Sequence, residues 1–137
     1  VSITGRDVLV QLWDTSGQER FQTLTPSFYR SAMGILLVFS VIDKSSFNSI
    51  ELWMRQINQY CSDVPVIILC NKIDISAREV SDVQCKALEQ RHRTKVINTS
   101  VINNHNIADA ISTIYERVSE EQKRRYLVSS TLKVIRK

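Results

Sequence analysis

The stretch Val66–Asp74, VIILCNKID, joins a continuous run of apolar residues to a short polar cluster. A run in which every side chain is apolar is typical of a strand buried on both faces, as in a parallel sheet covered by helices. Ile35–Phe39 has the same character, and Lys95–Ile97 is a weaker candidate. Together these segments predict three strands of a mostly parallel sheet within an α/β fold.

A fourth strand is predicted near the start of the chain. Val8–Trp13 is a β-type run preceded by the turn signal Thr4–Asp7, and Val1–Ile3 is a candidate hairpin partner for it.

Amphipathic segments separate the predicted strands. Apolar side chains recur at helical spacing over Phe47–Cys61, which predicts one helix. Ser81 and Gln84 match a capping box at the start of the next, with Val80 and Cys85 placed as its hydrophobic staple.

The last helix is predicted to begin at Asn106, with its apolar stripe at Ile107, Ile111, Ile114 and Val118. All of the net charge of +4 lies in residues 116–137. We therefore expect one domain over residues 1–122 and a basic tail over residues 123–137. The neutral body argues against a nucleic-acid groove. The tail could make weak contact with anionic lipid or an acidic partner, or could simply be a solvated charged end.

The composition excludes several other classes of protein. Cys61, Cys70 and Cys85 have neither zinc-site spacing nor that of a disulfide framework, which indicates a reducing compartment. The apolar runs are too short to cross a bilayer. The three glycines are too widely spaced to form a Gly-rich phosphate loop within this chain.

Polar clusters follow three of the predicted strands. They are Asp14–Glu19, Asn71–Asp74 and Asn98–Ser100. Ligands of open α/β sheets bind outside the carboxyl ends of the strands, so we expect these clusters to converge on one ligand.

The segment Trp13–Phe21, WDTSGQERF, resembles the second switch of the Rab family of Ras-superfamily small GTPases. Ser27–Gly34 and Phe47–Trp53 also resemble Rab segments, and the likeness extends over about residues 8–118. The resemblance implies a three-layer fold of the P-loop-NTPase type, in which a mostly parallel sheet has an antiparallel edge hairpin. It also implies a switch that binds GTP or GDP with Mg²⁺ and slowly hydrolyses GTP to regulate vesicle traffic.

The resemblance gives roles to the first polar cluster. Asp14 would hold the magnesium ion through a water molecule, and Gly17 would offer its N–H to the γ-phosphate. Gln18 would be the catalytic residue, because it would orient the attacking water. Without the resemblance, the same residues could form an ordinary turn after a strand.

Asn71–Asp74 matches the guanine-reading pattern Asn-Lys-x-Asp. The Asp74 carboxylate can accept both donors on the pairing edge of guanine. Asn71 would reach the other edge of the ring, and the stem of Lys72 would lie over it. The competing interpretation is an exposed loop.

The third cluster departs from the family pattern Thr-Ser-Ala-Lys. Thr99 and Ser100 match it, whereas Val101 and Ile102 replace alanine and lysine. A backbone amide at Val101 could still recognise the guanine carbonyl, so Thr99, Ser100 and Val101 are predicted to contact the nucleotide. An ordinary strand-to-helix turn remains the alternative.

The resemblance also predicts a surface for effector, exchange-factor and activating proteins, formed by Trp13, Arg20, Phe21 and Phe28. Packing of these aromatic side chains in the core is the alternative. His92 and His105 are expected to be surface or capping residues.

Other parts of a Rab protein would precede Val1: the phosphate loop, the first-switch threonine, the first strand and the first helix. We therefore expect a fragment that folds poorly and binds phosphates weakly. The alternative is a short, non-catalytic pseudo-GTPase module that presents the second-switch surface. The expected location is cytoplasmic, and it is peripheral on endomembranes if the intact protein is lipidated. Residues 135–137 themselves supply no prenylation cysteine.

Overall fold

The computed structural model of the chain describes residues 1–14 and 29–135, with side chains described as far as Tyr126. Its elements are β1 (Ser2–Ile3), β2 (Arg6–Asp7), β3 (Ile35–Ser40), α1 (Lys44–Cys61), β4 (Val66–Asn71), α2 (Asp82–His92), β5 (Val96–Asn98) and α3 (Ile107–Ile135). Strands alternate with helices from β3 onward, as the sequence predicted.

The three later strands form a parallel sheet in the order β3-β4-β5. In its register, Ser40 lies opposite Asn71, and Cys70 lies opposite Asn98. The central strand is buried on both faces, since each residue of Ile67–Cys70 is at most 7% exposed. The strands predicted at Ile35–Phe39, Val66–Cys70 and Lys95–Ile97 are confirmed, each within one residue of its predicted bounds.

Helices cover both faces of this sheet. Ile68 and Cys70 of β4 belong to a core cluster with residues of α1 and α2, whereas Ile67 and Leu69 pack against α3. Successive strand side chains point to opposite faces, so one strand supplies both cores. The three-layer α/β architecture is confirmed.

Side-chain caps fix the starts of the first two helices. Asp43 accepts hydrogen bonds from the N–H groups of Ser45 and Ser46 at the start of α1. The predicted capping box of α2 is present, because Ser81 and Gln84 each accept from the other's backbone N–H. Each such cap is worth about 1 kcal/mol.

The last helix begins at Ile107, directly after Asn106 as predicted. Asn106 has a left-handed backbone (φ 56°), and its side-chain amide donates to the carbonyl of Asn98 at 2.8 Å. Its amide group thus anchors the helix start to the end of β5.

The helix passes through residue 122, and the division into domain and tail stays a prediction. Within the described residues, no helix has the length and apolar character needed to cross a membrane.

The chain opens with a tight hairpin of β1 and β2. Thr4 and Gly5 have φ values of 50° and 75°, as both central residues of a type I′ turn require. Val1 and Val8 extend the pairing through hydrogen bonds of 3.1 and 2.8 Å. The first hairpin strand is confirmed, but the turn is shorter than the predicted Thr4–Asp7, because Arg6–Asp7 form β2 and pair with Ser2–Ile3.

The predicted strand over Val8–Trp13 is wrong. β2 ends at Asp7, and residues 8–14 have no regular structure. A β-type run forms a strand only where another strand pairs with its backbone groups, and pairing stops at Val8 within the described part of the chain. The hairpin is consequently a two-stranded sheet of its own and not an edge of the parallel sheet.

An ionic contact joins α1 to α2. The Glu51 carboxylate accepts from Arg91 at 2.6 Å and contacts the His92 ring at 3.2 Å. Partial burial acts to raise the pKa of Glu51, but the hydrogen bonds from Arg91 and His92 outweigh it and hold this pKa below its usual value. The contact therefore stabilises the fold above the unfolded-state pKa, and this contribution is lost as the pH falls through the folded-state pKa.

We predict that Glu51→Gln lowers the free energy of unfolding by about 0.5 kcal/mol at neutral pH, the size expected of a partly exposed ion pair. The difference should disappear as the pH falls below 4.5, the usual pKa of the group. Urea unfolding across this pH range measures it, with the exposed Glu116→Gln as control. A difference that grows towards acid would contradict the assignment.

Gly34 allows α3 to approach the start of β3 closely. A methyl group on Gly34 would lie 2.8 Å from Ile114 Cγ1 and 3.0 Å from Val118 Cγ2.

We predict that Gly34→Ala destabilises the protein by about 1–3 kcal/mol, the usual cost of overpacking. The same substitution should cost less in an Ile114→Ala background, as measured by urea unfolding. Equal costs in both backgrounds would show that this contact is not responsible.

Candidate functional site

Two of the three predicted polar clusters meet at one edge of the sheet. β4 ends at Asn71 and β5 ends at Asn98, and Cys70 pairs with Asn98 in the parallel register. The loops over residues 71–75 and 99–105 therefore leave the sheet side by side. This is the carboxyl edge, where α/β proteins bind their ligands.

Backbone hydrogen bonds join the two loops. The N–H of Thr99 donates to the Cys70 carbonyl at 2.8 Å, and the N–H of Ile73 donates to the Thr99 carbonyl at 3.3 Å. The Thr99 hydroxyl donates to Asn71 Oδ1 at 3.3 Å, and Thr99 is only 1% exposed. These bonds fix the position of Asn71 and orient its amide group, with Oδ1 towards Thr99.

A second side-chain contact holds Asp74. The buried hydroxyl of Ser100 donates to Asp74 Oδ1 at 2.6 Å and accepts from the N–H of Asn103 at 3.2 Å. Asp74 itself is exposed. The carboxylate is thus held in one place at the surface, where a ligand can reach it.

Lys72 turns the chain between these two anchored residues. Its φ is 65°, in the left-handed region that a lysine adopts at a cost of about 1–3 kcal/mol. Its carbonyl accepts from the N–H of Ile75 at 3.1 Å, which closes the turn. Its side chain is exposed, and its placement over a guanine ring stays a prediction.

The tip of the second loop carries two exposed apolar side chains. Val101 is 67% exposed and Ile102 is 85% exposed. Ser100 and His105 close the base of this loop, because each donates its N–H to the other's carbonyl, at 3.2 and 2.9 Å. The position of His105 was expected to be superficial, and its side chain is exposed, but its backbone shapes the loop.

The end of β3 contributes to the site in a way that the motifs did not indicate. The N–H of Val41, the residue after β3, donates to the Asn71 carbonyl at 2.9 Å. The end of β3 therefore holds the loop over residues 71–75 from the side opposite β5. The Ser40 hydroxyl, opposite Asn71, is buried and has no hydrogen-bond partner among the described residues. In the sequence, this contribution was indicated only by the position of Ser40 directly after the apolar run Ile35–Phe39.

The remaining predicted site residues fall into two groups. Asp14 and Trp13 lie at the end of the irregular segment and are exposed, with Trp13 at 77%. Trp13 is thus exposed in the part of the chain that the structure describes, and its place in the effector surface stays a prediction. The others lie outside the described residues: Gly17, Gln18, Arg20, Phe21 and Phe28.

The two joined loops present a defined set of ligand-binding groups. Asp74 supplies a carboxylate, and Asn71 supplies a carboxamide whose oxygen is already bonded to Thr99. Residues that follow β3 and β5 hold these groups: Val41 and Thr99 bond Asn71, and Ser100 bonds Asp74. The groups are thus fixed without any ligand, so little conformational entropy would be lost on binding.

We predict that Ser100→Ala lowers the free energy of unfolding by about 1–2 kcal/mol, because the hydroxyl bonds both Asp74 and Asn103. Urea unfolding measures this loss. Ser62→Ala, at an exposed position at the opposite edge of the sheet, should have little effect. Equal losses in the two variants would contradict the assigned role of Ser100.

The chain is similar in sequence to a known family and to several known proteins. A family model described as "Ras family" matches residues 1–120. The chain is 42% identical over 123 residues to Ras-related protein RABE1d of Arabidopsis thaliana, an alignment covering 88% of this chain and 57% of that protein. It is 33% identical over 135 residues to GTP-binding protein YPT1 of Saccharomyces cerevisiae, covering 97% of this chain and 66% of that one.

Ras-related protein SEC4 of Saccharomyces cerevisiae is 38% identical over 122 residues, covering 88% of this chain and 57% of SEC4. The chain thus spans less than two thirds of the length of each of these relatives. The family model nevertheless covers most of the chain, and two of the three predicted polar clusters meet at the carboxyl edge. The chain belongs to the Ras family of small GTPases, and within it to the Rab group.

Proposed function

We propose that the loops over residues 71–75 and 99–105 bind the guanine base of GTP or GDP. The observation that carries this proposal is the pair of bonds that fix Asn71 and Asp74, from Thr99 and Ser100 respectively. Membership of the Rab group supports guanine nucleotide as the ligand.

The chemistry of guanine fits these groups. The base carries two adjacent N–H donors on its pairing edge, which one carboxylate at Asp74 can accept together. Its other edge carries the acceptors N7 and O6. Asn71 can donate there from Nδ2, because its Oδ1 is bonded to the Thr99 hydroxyl.

Selectivity against adenine follows from the same arrangement. Adenine has an acceptor nitrogen where guanine has its ring N–H, so a carboxylate at Asp74 would face a lone pair. An unpaired charge of this kind costs more than a missing contact, because the carboxylate also loses its water.

Magnesium binding and hydrolysis are a further part of the proposed function. Within the described residues, no three acidic, cysteine or histidine side chains form a group that could hold a metal ion. Mg²⁺ nevertheless commonly takes one or two carboxylates together with waters and substrate phosphates, so the single carboxylate of Asp14 fits that pattern. Gly17 would donate its N–H to the γ-phosphate, and Gln18 would orient the water.

We also propose that the protein acts as a Rab-type switch in membrane traffic. The exposed Trp13 supports an accessible surface for effector, exchange-factor and activating proteins, which Arg20, Phe21 and Phe28 would complete. Neither the fold nor the comparisons favour the alternative of a non-catalytic pseudo-GTPase module.

We propose that the basic tail makes weak contact with anionic membranes. Hydrogen bonds from Arg124 and Arg125 lower the pKa of Glu121 to about 2, so this carboxylate stays charged and pairs with both cations. Arg125 also donates to the Asp63 carbonyl at 3.0 Å. These cations are thus partly engaged within the protein, and we expect the membrane contact to be weak and to decrease with salt.

The substitution Asp74→Asn tests the guanine site. An asparagine supplies at most one acceptor, so we expect affinity for GDP to fall about 10- to 100-fold, corresponding to the loss of one or two charge-assisted bonds. Xanthosine diphosphate has a carbonyl where guanine has its amino group, so the variant should bind it more tightly than the unmodified protein does. Isothermal titration with both nucleotides measures the two changes.

The matched control is Asp63→Asn, which changes an exposed aspartate at the opposite edge of the sheet. Circular dichroism establishes that both variants are folded. The proposal fails if Asp74→Asn leaves the affinity for GDP unchanged, or if both variants lose the same affinity.

A further inference from the structure

Two cysteines that are 15 residues apart in the sequence meet in the core beneath the candidate site. Cys70 is the residue before Asn71 in β4, and Cys85 lies in the first turn of α2. Their Sγ atoms are 3.9 Å apart and hydrogen-bonded. Both side chains belong to the core cluster between the sheet and the helices, and both thiols are free.

The surroundings of the pair favour a thiolate at Cys85. The hydrogen bond from Cys70 lowers the pKa of Cys85 to about 7, while burial opposes this change. The positive charges of Arg78 and Lys44 lower it further, and the negative charge of Asp82 acts against them. The same sulfur contact raises the pKa of Cys70, which therefore keeps its proton.

Lys44 brings a buried positive charge close to Cys85, and the Glu79 carboxylate accepts from the Lys44 backbone N–H at 2.9 Å. The Lys44 Nζ is buried and has no hydrogen-bond acceptor among the described residues. It lies 4.6 Å from the centre of the Phe47 ring, a contact that compensates only part of the cost of burying an ammonium group. A thiolate at Cys85 would supply a nearby counter-charge. Reactive cysteines are typically found in electropositive and partly exposed environments; Cys85 shares the positive charges and is 6% exposed.

We propose that Cys70 and Cys85 form a redox modification site, at which a peroxide converts the two thiols into one reversible disulfide. The Cys85 thiolate attacks one peroxide oxygen, the O–O bond breaks, and a sulfenic acid forms as hydroxide leaves and takes up a proton to become water. The Cys70 thiol then attacks the Cys85 sulfur, the S–S bond forms, and a second water leaves. The two thiols lose two electrons in total and the peroxide gains them.

Exposure fixes the order of these steps. Cys85 is 6% exposed and Cys70 is 0% exposed, so a peroxide reaches Cys85 first and Cys70 acts as the resolving thiol. A dithiol reductant reverses the reaction by exchange through a mixed disulfide. The expectation of a reducing compartment is compatible with such a bond, because disulfides there are mostly transient or regulatory.

The modification is coupled to the candidate site by its position. A disulfide requires a sulfur–sulfur distance of about 2.05 Å, whereas the two Sγ atoms are 3.9 Å apart, so the Cys70 and Cys85 side chains must reorient and the contact between β4 and the first turn of α2 changes. The Cys70 carbonyl accepts from the N–H of Thr99, and Thr99 also bonds Asn71. Through these bonds, we expect a change at Cys70 to reach the loops over residues 71–75 and 99–105. This consequence rests on the proposed function, whereas the disulfide itself does not.

The test uses the full chain carrying Cys61→Ser, which removes the third cysteine and leaves the pair alone. After treatment with hydrogen peroxide, intact mass spectrometry should show a loss of two hydrogen atoms. Both cysteines should resist alkylation in denaturant, and dithiothreitol should restore the mass and both thiols. Adding Cys85→Ala or Cys70→Ala, which keep the core apolar, should abolish the mass loss in protein that circular dichroism finds folded.

Two outcomes would overturn the site: unchanged thiols after peroxide treatment, or addition of oxygen atoms without a disulfide. For the coupling, we expect the affinity for GDP to differ at least threefold between the oxidised and reduced proteins, and equal affinities would contradict it. A protein that binds no GDP in either state would contradict the proposed function, while the mass measurement still decides the disulfide.

Discussion

The hydrogen bond from the Thr99 N–H to the Cys70 carbonyl is the contact on which the candidate site depends most. It extends the parallel ladder of β4 and β5 by one step beyond the last paired residues, Cys70 and Asn98. Because of it, the loops that follow the two strands leave the sheet in a fixed register. In that register the adjacent residues Thr99 and Ser100 lie next to the other loop, where they bond Asn71 and Asp74 respectively.

The rigidity of that ladder comes from burial on both sides of β4. Four successive β4 side chains enter two different cores, one beneath α1 and α2 and one beneath α3. Fully burying an aliphatic side chain stabilises the fold by about 1.5–3 kcal/mol, so displacing β4 would cost several times that free energy. The site is therefore built at the end of a strand that is strongly held, while its loops remain exposed to a ligand. The same burial places Cys70 against Cys85, directly below the loop.

The sequence predicted those parts of the fold that depend on local pattern. The runs Val66–Cys70 and Ile35–Phe39, the capping box at Ser81 and the Thr4–Gly5 turn each specify their structure within a few residues. The strand predicted at Val8–Trp13 does not form, since strand formation depends on a partner that local pattern does not contain. Asn106 marks the helix start as predicted, but its amide bonds a residue eight positions earlier.

The candidate site was predictable to a similar extent. The motif at Asn71–Asp74 and its place after a buried strand predicted a polar loop at the carboxyl edge of the sheet, and the loop after β5 was predicted to lie beside it. Guanine binding by these loops stays a proposal. The hydrogen bonds that join the loops depend on the register of β4 with β5, which the sequence does not state. The contact of Val41 with Asn71 and the pairing of Cys70 with Cys85 were not predictable, because each joins segments that only the tertiary fold brings together.

We propose that the two joined loops bind guanine before any phosphate is bound. Titration of the ¹⁵N-labelled protein with guanosine, which has no phosphate, decides this. The backbone amide signals of residues 72–74 and 100–102 should shift with guanosine and not with adenosine. If neither nucleoside shifts these signals, or if both shift them equally, the loops are not a guanine site.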